Sequence, residues 1–234
     1  EGQPTSSMDL AERISRGVVV VLAGNSSGTG FFISPELVVT NRHVIENQPN
    51  ISIAGRSVGT VRASLVRQGS DGTLGDYALL RVPAQRDVIP FTLTSQVQAL
   101  GAVVAAGYPG LHLGTDPVFR RLIQGEAAAS RELSPVFLTG VVSHLQRYAE
   151  ASTTLVLHSA EISPGNSGGP LVDYCGRVVG VNTFGRTHNR MPVTARYALG
   201  SDGLAAFLTS AGVTPPQTTA ACAPRLTPAA PPAA

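Results

Sequence analysis

Residues 163–172 read SPGNSGGPLV, and the fold turns on whether Ser167 is a nucleophile or one more serine in a glycine-rich turn. A turn alone accounts for Gly165, Gly168 and Gly169, because glycine reaches backbone angles closed to other residues. Nucleophilic catalysis asks for more: a base to take the hydroxyl proton, and an acid to orient that base. Both partners must come from elsewhere in the chain.

Five histidines are present: His43, His112, His144, His158 and His188. His43 stands in VVTNRHVI, at the end of an apolar run where a strand hands over to a turn or short helix. An imidazole there is held firmly, with one edge open to a cleft. Asp76, in GDYALLRV, precedes an apolar strand, so its carboxylate is expected to be partly buried and to need a partner. His43 supplies one. Asp71, among the turn residues of GSDGTLGD, reads as a solvated aspartate.

The order His43, Asp76, Ser167 is that of the chymotrypsin arrangement and not of the subtilisin or α/β-hydrolase orders. GNSGG does fit a G-x-S-x-G pattern, but the strand–elbow–helix context is missing and only His188 follows it. The backbone amides of the Gly165–Asn166–Ser167 loop are the candidate oxyanion donors, with those of Gly165 and Ser167 expected to converge.

Composition narrows the alternatives. At 234 residues the chain can bury a sizeable core, and 43% hydrophobic against 14% charged residues marks it as globular. A net charge of +2, no basic run longer than Arg120-Arg121 and no tryptophan exclude the electrostatic footprint of a nucleic-acid binder. The histidines show no metal-ligand spacing, so neither metal nor cofactor is expected. The longest apolar stretch near the start, Val18–Ala23, is far below the ~20 residues of a membrane helix. The opening EGQPTSS carries neither an initiator methionine nor a signal peptide, as expected of a mature or trimmed form. Cys175 and Cys222 are an even pair: a disulfide tying the tail to the core, or two thiols in a reducing compartment.

Along the chain, SMDLAERISR (7–16) has a serine cap and helical spacing of Leu10 and Ile14. Short β-type runs then follow in two sets, VVVVLA to YALLRV and AVVAAGYP to RVVGVNTF, punctuated by glycine, proline and asparagine. The expected fold is all-β, with two antiparallel barrels, a short N-terminal helix and a C-terminal helix over 201–212 capped by Ser201 or Asp202. The expected boundaries are an N-terminal segment (1–16), a first barrel (17–100), a second barrel with the terminal helix (101–213) and a Pro/Ala-rich tail or linker (214–234). Between Gly110 and Pro135 runs a long connection of the kind that is functional or mobile. GNSSGTGF (24–31) lacks the lysine of a phosphate loop and the third glycine of a dinucleotide fingerprint, and reads as a barrel turn. His158, in VLHSAE, reads as a partly buried structural or pocket histidine.

GTGFFIS, LVVTNRHVI, GDYALLRV, VVAAGYP, LTGVVSHL, SPGNSGGPLV and GRVVGVNTFG together resemble a trypsin-like serine protease of chymotrypsin fold, nearest the bacterial HtrA (Deg) branch. The resemblance covers most of residues 17–200. It implies two β-barrels, with His43 and Asp76 on the first and Ser167 on the second. It also implies that Asn182, Thr183 and Phe184 form an edge strand that pairs with an extended protein or peptide substrate. Glu161 holds the spacing of the residue at the base of the specificity pocket, where a carboxylate favours basic side chains; HtrA-like relatives favour small or aliphatic ones, and Phe184 is placed to crowd the pocket mouth. Asn166 replaces the aspartate that an inserted amino terminus would meet, so activation by that ion pair is not expected. HtrA proteins usually carry a PDZ domain, and here a Pro/Ala tail stands instead. Periplasmic, cell-surface or secreted location is the corresponding expectation. The rivals are a latent protease, held by the 110–135 connection until an activator or regulatory partner orders it, and a pseudoprotease that binds peptides without cutting them.

Overall fold

Runs of β-branched residues broken by glycine, asparagine and proline become short strands, and their pairing closes two antiparallel barrels of six strands each. The structure is a computed structural model, and it describes residues 7–70, 72–188 and 191–223. The first barrel comprises β1 (Val18–Ala23), β2 (Ser26–Ser34), β3 (Leu37–Thr40), β4 (Ile51–Gly55), β5 (Gly59–Gln68) and β6 (Ala78–Arg81), ordered β1-β2-β3-β6-β5-β4 around the ring. The second comprises β7 (Ala102–Gly107), β8 (Val136–Tyr148), β9 (Thr153–His158), β10 (Pro170–Asp173), β11 (Val178–His188) and β12 (Met191–Gly200), ordered β10-β11-β12-β9-β8-β7. Asp71 and residues 224–234 lie outside the described residues.

Strand β1 explains why some runs show no alternation. Val19 and Val21 face the interior of the first barrel, while Val18 and Val20 face a second core shared between the barrels. Both faces are buried, so both are apolar. The shared core also takes Leu10 and Ile14 from α1 (Ser7–Ser15) and Leu204, Phe207 and Leu208 from α5 (Ser201–Ser210). Phe207 stacks on Tyr77, with ring centroids 5.4 Å apart, so the terminal helix packs on the residue that follows Asp76.

Four details differ from the sequence reading. Residues 26–31 of GNSSGTGF are strand β2 and not a turn. The cap of α5 is Gly200: the Ser201 hydroxyl donates to the Thr94 carbonyl, and the Asp202 carboxylate accepts from Thr154 on β9. The 110–135 connection is ordered as α3 (Gly110–Thr115), α4 (Pro117–Ile123) and a 3-10 turn over Ala127–Glu132 that packs on β4 and β5 of the other barrel. Arg121 holds that connection together by pairing with both Glu126 and Glu132.

The fourth is the segment after α5, read as a linker or tail apart from the disulfide expected to tie it to the core; the bridge is present, and the residues before it are docked as well. Leu93 donates to the Pro216 carbonyl and accepts from the Thr218 amide, and Cys222 is disulfide-bonded to the buried Cys175. Arg177 pairs with Asp173 at 2.6 Å and donates to the Ala220 carbonyl. Among the described residues no helix is long and apolar enough to cross a membrane.

Candidate active site

Register brings the first two candidate residues together. Strands β3 and β6 are neighbours, with Thr40 opposite Ala78. His43 follows β3 within the short helix α2 (Arg42–Ile45), and Asp76 precedes β6 after a 3-10 turn over Thr73–Gly75. His43 Nδ1 lies 2.6 Å from Asp76 Oδ2, and the His43 backbone N–H donates to Oδ1 at 3.0 Å. An ionised carboxylate only accepts, so the proton of this pair sits on Nδ1 and Nε2 is left as the acceptor. The carboxylate is 11% exposed and the imidazole 45%, which gives a buried orienting group and a ring with one edge open to solvent.

Ser167 is tied to this pair through two residues that the sequence reading gave no such part. The Asn41 side-chain amide donates to the Asp76 carbonyl at 2.6 Å and to Thr183 Oγ1 at 3.1 Å. The Thr183 carbonyl in turn accepts from the Ser167 hydroxyl at 3.1 Å. A side chain at Gly168 would run into the Asn41 backbone nitrogen, its Cβ 2.8 Å away, so the nucleophile turn packs directly against the chain that leads from β3 to His43.

Residues 163–166 form a turn closed by the Asn166 N–H on the Ser163 carbonyl at 3.0 Å. Pro164 occupies the second position and Gly165, with φ +98°, the third, as a type II turn requires. A Cβ at Gly165 would lie 2.5 Å from the Tyr108 carbonyl oxygen, so the site needs glycine for space as well as for angle. The Pro164 carbonyl accepts from the Gly110 amide at 2.6 Å. A trans peptide sets its C=O and N–H on opposite sides, so this bond turns the Gly165 N–H the other way. Among the described residues, the N–H groups of Gly165 and Ser167 have no hydrogen-bond acceptor, while that of Asn166 is engaged.

Thr29 of the first barrel braces this turn. Its hydroxyl donates to the Gly165 carbonyl at 2.7 Å and accepts from Tyr108 at 3.0 Å, and its backbone N–H donates to the Ser167 carbonyl at 2.9 Å. The only signal in the sequence was its place between two glycines in GTGFFIS.

On the substrate side, Asn182 is fully buried and its backbone groups are bonded to Gly168 and Gly169. The pairing of β11 with β10 ends at Val181, and among the described residues only β12 flanks β11 beyond it, so the open edge begins at Thr183, one residue later than expected. Phe184 lies on that edge, and its side chain is outside the described residues. Glu161 is at the surface and not at a pocket floor, its side chain 82% exposed and 3.8 Å from Arg196. His112 stands 3.8 Å from Asp116, and His144 is exposed on β8. His158 is buried on β9, and burial together with the nearby Arg196 pushes its pKa down to about 4.

The model of the trypsin-like peptidase domain matches residues 28–181. The chain is 34% identical over 202 residues to protein y4bJ of Sinorhizobium fredii, covering 82% of the chain and 28% of that protein. It is 31% identical over 169 residues to the serine protease Do-like HtrA of Bacillus subtilis, covering 68% of the chain and 34% of that protein. The chain thus spans about a third of the length of these relatives. The crystal structure of the serine endoprotease from Yersinia pestis superposes with a TM-score of 0.65 at 25% identity, covering 89% of this chain and 67% of that one.

Proposed function

The chain belongs to the trypsin-like peptidase family, with HtrA serine proteases among its relatives, and from that premise we propose that it is a serine endopeptidase acting on proteins through His43, Asp76 and Ser167. The observation that carries the reading is the 2.6 Å contact between His43 Nδ1 and Asp76 Oδ2, linked through Asn41 and Thr183 to the Ser167 hydroxyl.

Ser167 Oγ attacks the scissile carbonyl carbon while His43 Nε2 takes the hydroxyl proton. Asp76 stays ionised, holds the ring in the required tautomer and stabilises the imidazolium that forms. The oxygen of the tetrahedral intermediate receives the N–H groups of Gly165 and Ser167, which are fixed before substrate arrives and so need no reorganisation. Collapse of the intermediate passes the proton from His43 to the leaving amine and leaves an acyl-enzyme on Ser167. Water, activated by the same imidazole, releases it. The substrate backbone lies along the open edge from Thr183, as an added strand. The Cys175–Cys222 bridge fits an oxidising compartment, periplasmic, cell-surface or secreted.

A second reading, latency, has one observation in its favour. The Ser167 hydroxyl donates to the Thr183 carbonyl, and attack requires it to turn to His43, a step that an activator or regulatory partner could promote. The ordered 110–135 connection acts the other way, since its Gly110 amide sets the oxyanion peptide.

Turnover of a quenched fluorescent peptide library by the purified chain tests the proposal, with Ser167→Ala as the comparison. Hydrolysis that falls about 10⁶-fold in the variant supports the triad. Binding of the same peptides without any hydrolysis favours the pseudoprotease.

A further inference from the structure

The mouth of the second barrel holds two nitrogen-bearing side chains that the proposed mechanism leaves idle. His158 on β9 is aligned with Arg196 on β12, and Arg196 with Gly185 on β11. Directly opposed residues of antiparallel strands share a face, so these three form one row. That face is the barrel interior. His158 is in step with Val156 and Arg196 with Ala198, both in the inner core, and Val142 of the same core faces His158 from β8.

The row adjoins the reacting centre. Gly185 lies two residues along β11 from Thr183, whose carbonyl holds the Ser167 hydroxyl. At a rise of about 3.3 Å per residue and a strand spacing of about 5 Å, the Arg196 backbone sits within roughly 9 Å of Thr183, inside the reach of an arginine side chain. Glycine at 185 contributes no side chain between them.

The polar groups of the row are unsatisfied. His158 is 3% exposed, and neither ring nitrogen has a hydrogen-bond partner; Arg196 Nε is buried and equally without one. Buried orphans of this kind are rare; Arg196 Nε and one nitrogen of the neutral imidazole are donors, and two unpaired donors on one face of a barrel mouth point to a ligand that brings acceptors. The ion pair of Arg196 with Glu161 is long, at 3.8 Å, and Glu161 is largely in solvent, so this carboxylate is exchangeable. A neutral imidazole still offers one N–H.

We propose that this row floors the pocket for the residue on the acyl side of the scissile bond and that it selects glutamate or aspartate there. The substrate carboxylate takes over Arg196 from Glu161 and accepts from His158. A basic side chain would meet the Arg196 guanidinium, and a small aliphatic one would leave the two donors unpaired. This inference rests on the protease reading.

Peptidyl diphenyl phosphonates carrying Glu, Gln, Val or Arg beside phosphorus test it, with a plain fluorophosphonate as the reference label for Ser167. The expected result is inactivation by the Glu probe about tenfold or more faster than by its Gln isostere. Arg196→Glu is expected to move the preference to the Arg probe, a gain that a misfolded protein cannot imitate. Equal Glu and Gln rates, a fastest Val probe, or an unchanged preference in Arg196→Glu, with the fluorophosphonate still labelling Ser167, overturns the selectivity and leaves the protease reading standing. Absence of labelling by every probe, the fluorophosphonate included, removes the protease reading and this inference with it.

Discussion

Asp76 does two things with one carboxylate: Oδ2 orients the His43 ring and Oδ1 holds the His43 backbone amide. Asparagine keeps the second contact and loses the first tautomer preference, so Asp76→Asn is expected to fold normally and lose about 10⁴ in kcat. Circular dichroism beside peptide turnover separates the two effects. His158 makes a different prediction. Its pKa in the fold is about 4, against 6.5 when exposed, because of burial and the facing Arg196, itself paired with Glu161. Between those values the unfolded chain binds a proton that the folded one does not. Stability is therefore complete above pH 6.5 and falls by roughly 3 kcal/mol as pH drops to 4. Urea unfolding at pH 7, 5.5 and 4 is expected to show this loss, and His158→Gln is expected to flatten it. At this scale the sequence was legible where a buried carboxylate dictates a partner, as with Asp76 and His43, which the fold brings together. It misled at Glu161, because spacing fixes where the backbone goes and not where a carboxylate turns.

The turn over 163–166 depends on an element from the other barrel. Thr29, on β2, holds the Gly165 carbonyl and the Tyr108 amide with one hydroxyl. Thr29→Val keeps the shape and removes both bonds, leaving the Tyr108 amide without its partner. The expected cost is about 1–3 kcal/mol of stability and a fall of about 10–100-fold in kcat, below the 10²–10³ for losing an oxyanion donor outright. Thermal unfolding and turnover of the variant check both numbers. The glycines around Thr29 explain why β2 looked like a turn. A Cβ at Gly28 would lie 2.7 Å from Val44, and one at Gly30 would lie 2.9 Å from Val21. Glycine is there for close packing, against α2 at Gly28 and against a neighbouring strand at Gly30, which composition does not distinguish from a bend. The cap of α5 was misread for a related reason: Ser201 and Asp202 are cap-type residues whose hydrogen bonds go to Thr94, in the connection between the barrels, and to Thr154 on β9.

Over the whole molecule, the two barrels meet across a shared core that α1 and α5 complete. Strand count and turn spacing made the two-barrel plan readable, since each strand announces itself locally. The cross-barrel packing of the 127–132 turn and the docking of residues 216–222 did not, because both rest on contacts between segments far apart in the chain. The Cys175–Cys222 bridge spans a separation of 47 residues, and removing it by the double alanine variant is expected to cost about 2–4 kcal/mol, read as a lower urea midpoint. The central claim, an assembled nucleophile at Ser167, is tested most directly by the intact mass of the chain after fluorophosphonate treatment. A single adduct, absent in Ser167→Ala and formed far more slowly in Asp76→Asn, is the expected result. A folded native chain that takes up no adduct, or one that takes it up equally in Ser167→Ala, would contradict the account.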